Sequence, residues 1–375
     1  MILKFFSESK PHRIMFIKEN LERESAKSKR RLMNVVRLSK KPSRIQNVET
    51  IVSSAAMGEI VSGFPPIPGI DLVNKGGKTI SDLSFANFYV GNSGSWNQND
   101  IKSIDSALAA AMSDKNLNNV MVQYFPGHDT ITSTFKGSQV LSGRYPKKFF
   151  KDDVESLVSK LFSQKKLDNY DLKNTVFNFM LPSGTMLNDG ERNAAEEESK
   201  TISTQRKSDS DDDQALIEDD EFDSLSGLGG FHGSIHVPGS NPITIYYAVG
   251  VYSENLPDGT TNGIPVLDMA WKNVVATFYH ELNEARTDPD VGDARLINDP
   301  HLGWYSDGII IPPIKKRQLG GEIGDIPIEE AQKLGRDLST VFKEVQLTDG
   351  IATVPIQLQY SNAVHGPEGP ISMPH

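Results

Sequence analysis

Apolar residues recur at helical spacing through Leu267–Pro289, LDMAWKNVVATFYHELNEARTDP. At about 100° per residue, Trp271, Val274, Val275, Phe278, Leu282 and Ala285 fall on one side of a helix. Asn273, Thr277, His280 and Glu284 fall on the other. The same spacing predicts helices over IKSIDSALAAAM (Ile101, Ile104, Leu108, Ala111 and Met112 inward), over Val154–Phe162 and over Ile328–Glu344. Short runs rich in branched and aromatic residues predict strands at FANFYV, at Asn119–Phe125 (NVMVQYF) and at Asn174–Leu181 (NTVFNFML). Further strands are expected at Gly230–Val237 (GFHGSIHV), Ile243–Tyr252 (ITIYYAVGVY) and IATVPIQLQYSN, and Thr130–Leu141 reads as a polar hairpin or an edge strand. Strand, helix and strand follow one another after Ser84, which argues for α/β layering. The expectation is a single α/β (α+β) domain with a mixed sheet.

Two polar stretches bound that domain. Residues 1–80 read as a poorly ordered leader: Lys4–Arg44 holds thirteen Lys or Arg against four Glu, with KSKRR at Lys27–Arg31, and the Pro/Gly-rich run GFPPIPG follows. Such charge could meet nucleic acid or an anionic surface. Without interleaved aromatics or a nucleic-acid motif it reads as a solvated tail, and no nucleic-acid partner is expected. Residues 187–228 are acidic, with EEE and DSDDD and few large apolar side chains. That composition cannot offset chain entropy by burial, so a disordered insertion is expected inside a domain spanning 84–375. Asp209, Asp211 and Asp213 imitate the start of a calcium loop, but Gln214 stands where glycine is required.

The net charge of -10 and the absence of cysteine narrow the chemistry. Disulfides, thiolate metal sites and cysteine nucleophiles are excluded. MILKFF gives way at once to SESKPHR, short of the roughly 7–15 apolar residues of a signal peptide, so a cytoplasmic location is expected. No run approaches the ~20 apolar residues of a membrane span. No serine triad, P-loop or dinucleotide fingerprint stands at a convincing spacing. Oligomeric state is not legible.

The candidate chemistry lies in His280-Glu281-Leu282-Asn283-Glu284. One helical turn apart, His280 and Glu284 can share a cation while Glu281 serves as general base, the logic of the zincin helix with Glu in place of the second His. The alternative is a solvent-facing polar stripe. A metal needs a third ligand from another element. Glu322 and Asp325, in the glycine-flanked loop GGEIGD, are the first choice. Asp290 sits ten residues after His280, where a metzincin-like turn would supply a ligand. His232, Asp288 and His301 are further candidates. Trp304 and Tyr305 could line a cleft for peptide or sugar, or cap the core. One imidazole with several carboxylates suits zinc and also accepts manganese or calcium. The expected function is a metal-dependent hydrolase of metallopeptidase type, with a non-catalytic scaffold holding a metal or a hydrogen-bonded cluster as the alternative.

Several of these blocks, in this order, resemble the phosphate-induced-protein / EXORDIUM family of plants and its bacterial relatives. The carrying pieces are FYVGNSGSWNQNDIKSI, GFHGSIHV, HELNEARTDP, GWY followed by GGEIGD, and QLQYSNAV, over roughly Phe85–Val364. The resemblance implies that His280, Glu281, Glu284, Glu322 and Asp325 form one constellation. It also implies export, where the absence of a signal and of cysteines departs from the family pattern. No reaction is attached to that family.

Overall fold

The structure, a computed structural model, describes residues 58–190, 223–239, 242–290, 302–308 and 319–375. The basic run at Lys4–Arg44, the calcium-loop imitation at Asp209–Asp213 and His301 lie outside the described residues.

Five strands build the central sheet: β1 (Asp82–Tyr89), β2 (Thr132–Val140), β3 (Thr175–Met180), β4 (Gly230–Val237) and β5 (Ile243–Gly250). Their spatial order is β2-β1-β3-β5-β4. The first four of that order are parallel, and β4 runs antiparallel to β5 at one edge. The sheet is therefore mixed, as the sequence led us to expect. Strands inside a parallel sheet are covered on both faces and must be apolar on both. In β3 every residue is buried: Val176 and Met180 enter one core, Phe177 and Phe179 the other. β2, reading TSTFKGSQV, alternates exposed with half-buried positions and forms the opposite edge. Thr130–Leu141 thus resolves to an edge strand.

Among the described residues there are five helices, α1 (Gln98–Ser113), α2 (Lys115–Met121), α3 (Lys151–Ser163), α4 (Ala270–Thr287) and α5 (Asp325–Lys333), of which α1, α3 and α4 flank the sheet. α1 starts where the Asn97 side chain accepts the Asn99 N–H, and Asp114 just past its end caps α2 by accepting from Leu117. Ile104 and Leu108 of α1 pack with Val274, Phe278 and Leu282 of α4 over Phe85 and Val176. Val154, Val158 and Leu161 of α3 cover the other face. Each such side chain, fully buried, contributes about 1.5–3 kcal/mol. The result is a three-layer α/β/α arrangement.

Four expectations are corrected. The insertion placed at 187–228 is too wide, because Leu187, Ser224 and Leu228 at its ends are buried. NVMVQYF forms α2 and a 3-10 turn at Val122–Tyr124 in place of a strand, because Asp114 caps it and Leu117–Met121 are buried all round, which erases any one-sided periodicity. The helix predicted over Ile328–Glu344 ends at Lys333: Gly335 takes a left-handed φ of 64°, and a strand, β6 (Phe342–Gln346), pairs antiparallel with β7 (Thr353–Gln357). Residues 58–80, placed in the leader, contribute Phe64, Ile70, Leu72 and Ile80 to the core.

The polar side of α4 does not face solvent. Every residue from Asn273 to Thr287 is buried. β4 lies against that helix on one flank and β7 on another, and the loop before α5 meets it at Glu284.

Candidate metal centre

Three elements meet at the buried polar side of α4. The helix supplies His280, Glu281 and Glu284, the edge strand β4 supplies His232, and the loop entering α5 supplies Glu322, with Asp325 following as the first residue of α5. Exposure is 2% for His232, 6% for Asp325 and nil for the rest. Close approach depends on two glycines. A Cβ at Gly230 would come within 3.2 Å of Glu281 Oε1, and one at Gly324 would collide with the His280 ring. Gly324 also donates its N–H to Glu284 Oε1 at 3.1 Å.

Glu284 Oε2 occupies the centre. It lies 3.2 Å from His280 Nε2 and 3.6 Å from His232 Nδ1. Glu281 offers one oxygen to each imidazole, Oε2 at 3.4 Å from His232 Nδ1 and Oε1 at 3.9 Å from His280 Nε2. Glu322 Oε1 stands 3.4 Å from His232 Nε2, and Asp325 Oδ1 3.9 Å from His280 Nε2.

The hydrogen bonds around the rings decide which nitrogens are free. His280 Nδ1 sits 3.0 Å from Gln357 Oε1. That oxygen also accepts from Gln359 Nε2 at 2.9 Å, and the Gln357 amide nitrogen donates to the Leu358 carbonyl, so the oxygen's orientation is fixed. An amide oxygen only accepts, so Nδ1 carries a proton, and in the neutral ring Nε2 presents a lone pair to the carboxylates. In His232, Nε2 is 3.0 Å from the Asp288 carbonyl oxygen, which likewise assigns the proton to Nε2 and leaves Nδ1 free. Both free nitrogens point at Glu284.

Among the described residues, eight buried atoms here have no hydrogen-bond partner: His232 Nδ1, His280 Nε2, both oxygens of Glu281 and of Glu322, Glu284 Oε2 and Asp288 Oδ2. Buried polar atoms are normally satisfied. Acceptors that face only one another require a cation or protons between them. Two sets of ligand atoms lie within 4.8 Å of one another, His280/Glu281/Glu284 and His232/Glu284/Glu322. The residues can therefore coordinate a divalent metal ion, and their imidazole and carboxylate donors suit zinc and manganese alike.

No protein-family model, curated protein or solved structure matches the chain.

Electrostatics bear on the same cluster. Burial opposes ionisation of Glu284, yet His280 and His232 outweigh it and hold the carboxyl down at about 2. Burial also opposes a charged His280, but Glu284, with Glu281 and Asp325, pushes it up to about 10. Glu322 is pushed up to about 7 by burial, and Asp288 and Asp325 well above the usual carboxylate range, again by burial and then by neighbouring carboxylates. These are the groups that a bound cation would relieve of protons.

The other candidates fall outside this centre or at its rim. Asp288 caps the end of α4, with Oδ1 accepting from Gly303 N–H at 3.0 Å and Oδ2 left over. Asp290 pairs with Ser234 and with His236 Nε2 on β4, so the metzincin-like position is engaged elsewhere. Trp304 donates Nε1 to the Tyr124 carbonyl at 2.7 Å and packs edge-on against its ring; Tyr305 is 1% exposed. Both aromatics cap the core. Of the further candidates, His232 is the one that the fold brings to the centre. Its period-two pairing with His236 was the available signal, and both rings do reach the Asp288–Asp290 segment. Gln357 and Gln359 carried no warning beyond their i, i+2 spacing.

Proposed function

We propose that the chain is a metal-dependent hydrolase of zincin type, holding a divalent cation, zinc in the first instance, with Glu281 as general base. Glu281 carries the reading. Its carboxylate is fully buried, has neither oxygen hydrogen-bonded, and stands between two imidazole nitrogens. An unpaired buried carboxylate costs free energy, and beside two imidazole nitrogens that also lack partners that cost is relieved by a shared cation. A poised base must keep an oxygen free for a water proton.

Glu284 and His280 supply the ligands from the helix, and His232 with Glu322 supplies those from outside it. The imidazole missing from the helical motif comes from β4. When bound, the cation supplies Lewis acidity and acidifies neighbouring water. Glu281 would take a proton from a water whose oxygen adds to the scissile carbon, and would return that proton to the leaving group as its bond to that carbon breaks. Gln357 and the Asp288 carbonyl keep both rings in the ligating tautomer. The antiparallel edge strand β4 beside the HExx helix agrees with the zincin reading, and an extended peptide is the substrate class such an edge favours. Kinship with the EXORDIUM family, proposed from the shared motifs, is compatible with this chemistry.

Burial supports a second reading, in which the same residues clamp α4 to β4 and the α5 loop without turnover. Glu281→Gln separates the two. If the hydrolase reading holds, the variant keeps its metal and its melting temperature and loses hydrolysis across a panel of peptides and esters by at least 100-fold. A variant as active as the wild type, or a wild type inert on the whole panel with metal bound, would sink it.

A further inference from the structure

Glu284 belongs to both ligand sets at once. Its Oε2 faces His280 Nε2 from α4 and His232 Nδ1 from β4, and with both rings neutral, as ligands must be, their protons are committed to Gln357 and to the Asp288 carbonyl. Two neutral lone pairs thus converge on one carboxylate oxygen from two sides. A cation within the His280 set satisfies His280 Nε2 and Glu284 but leaves the Glu322 oxygens and Asp288 Oδ2 as buried acceptors without a donor. A cation within the His232 set leaves the opposite remainder.

The carboxyl groups divide the same way. Glu281, Glu284, Asp288, Glu322 and Asp325 are all buried. Glu322 stands against His232, and Asp325 against His280. Each half therefore has an imidazole and at least one carboxylate of its own, with Glu284 common to both.

We propose that the cluster holds two divalent cations, one in the His280, Glu281 and Glu284 set and one in the His232, Glu284 and Glu322 set, bridged by the Glu284 carboxylate. The inference rests on the metal-centre reading above and deepens it. Glu281, with one oxygen toward each imidazole, faces both halves and remains the base over the pair. Two-cation centres of this kind clamp the attacking and the leaving oxygen together. Zinc and manganese are among the cations that this donor set admits.

The test counts metal in the full chain after loading with Zn2+ and desalting, by elemental analysis beside native mass spectrometry. Two equivalents are expected in the wild type, one in His232→Ala, one in His280→Ala, and at least a tenfold loss of affinity at both sites in Glu284→Ala. Loading with Mn2+ is expected to give an exchange-coupled electron paramagnetic signal, which reverts to that of an isolated ion in His232→Ala. If His232→Ala fails to fold, the near-isosteric Glu322→Gln is expected to retain one equivalent. A single equivalent in the wild type, lost in both histidine variants, would place one cation between the two imidazoles, overturning the pair and sparing the metal-centre reading. No metal after loading would overturn both.

Discussion

His280 Nδ1 and Gln357 Oε1 are 3.0 Å apart, and that contact turns the other face of the imidazole toward the carboxylates. Gln357 closes β7, and its amide is held in orientation by Gln359 and Leu358. A strand far from the HExxE helix in sequence therefore sets the tautomer of the helix's histidine. Replacing Gln357 with Leu keeps a side chain of similar size and removes the acceptor. The ring is then free to rotate and to protonate at either nitrogen. We expect metal affinity to fall by about 10–100-fold, the usual cost of losing a partner behind a ligand. Competition with a chromophoric chelator measures it. An unchanged affinity would mean that the ring is positioned by packing alone.

Gly324 tests the close approach of the α5 loop. Its φ of -88° suits any residue, so substitution there acts through sterics and not through backbone strain. A methyl group would strike the His280 ring while leaving the N–H that Glu284 accepts. Gly324→Ala is expected to cost about 1–3 kcal/mol of stability by overpacking and to displace the ring, lowering metal content. Gly369 is the control: a Cβ there meets nothing within 4 Å. Gly369→Ala should stay within about 0.5 kcal/mol of wild type. Urea titration of the three proteins, with metal content read in parallel, decides the matter. Equal stability for all three would show that the loop simply yields.

The sequence carries local information well and convergence poorly. Val274, Phe278 and Leu282 lie on the face that packs against α1, as the helical spacing implied, and Gly230–Val237 is a strand with the expected bounds. Those features follow from repeat and alternation along one element. His280 and Glu284 could be paired for the same reason. His232 could not be joined to them, because its place depends on β4 turning back antiparallel along β5 and lying beside α4. Burial of the whole of α4 from Asn273 onward was hidden too, since a polar face covered by other polar groups has the same pattern as one covered by water. NVMVQYF failed for a related reason: residues buried on all sides show no period by which helix and strand could be told apart.

Glu330 offers a test independent of the metal centre. It lies on α5 with 1% exposure, and neither carboxylate oxygen has a hydrogen-bond partner. Burial pushes its carboxyl up to about 7, with Arg336 only partly offsetting the effect. In the unfolded chain the same group titrates at about 4.3. Below that pH both states hold the proton and the folded chain bears no penalty. Between the two values the unfolded state releases its proton first and the folded state keeps it, so stability falls as pH rises; above about 7 the loss is complete and constant. Glu330→Gln imitates the neutral form at every pH. Its melting temperature is expected to match wild type near pH 4.5, to exceed it increasingly through pH 6, and to hold a constant advantage at pH 8. The comparison subtracts whatever the metal cluster contributes, because that cluster is common to both proteins. A difference that does not vary with pH would show that the carboxyl is ionised in the folded state and that water or Arg336 satisfies it.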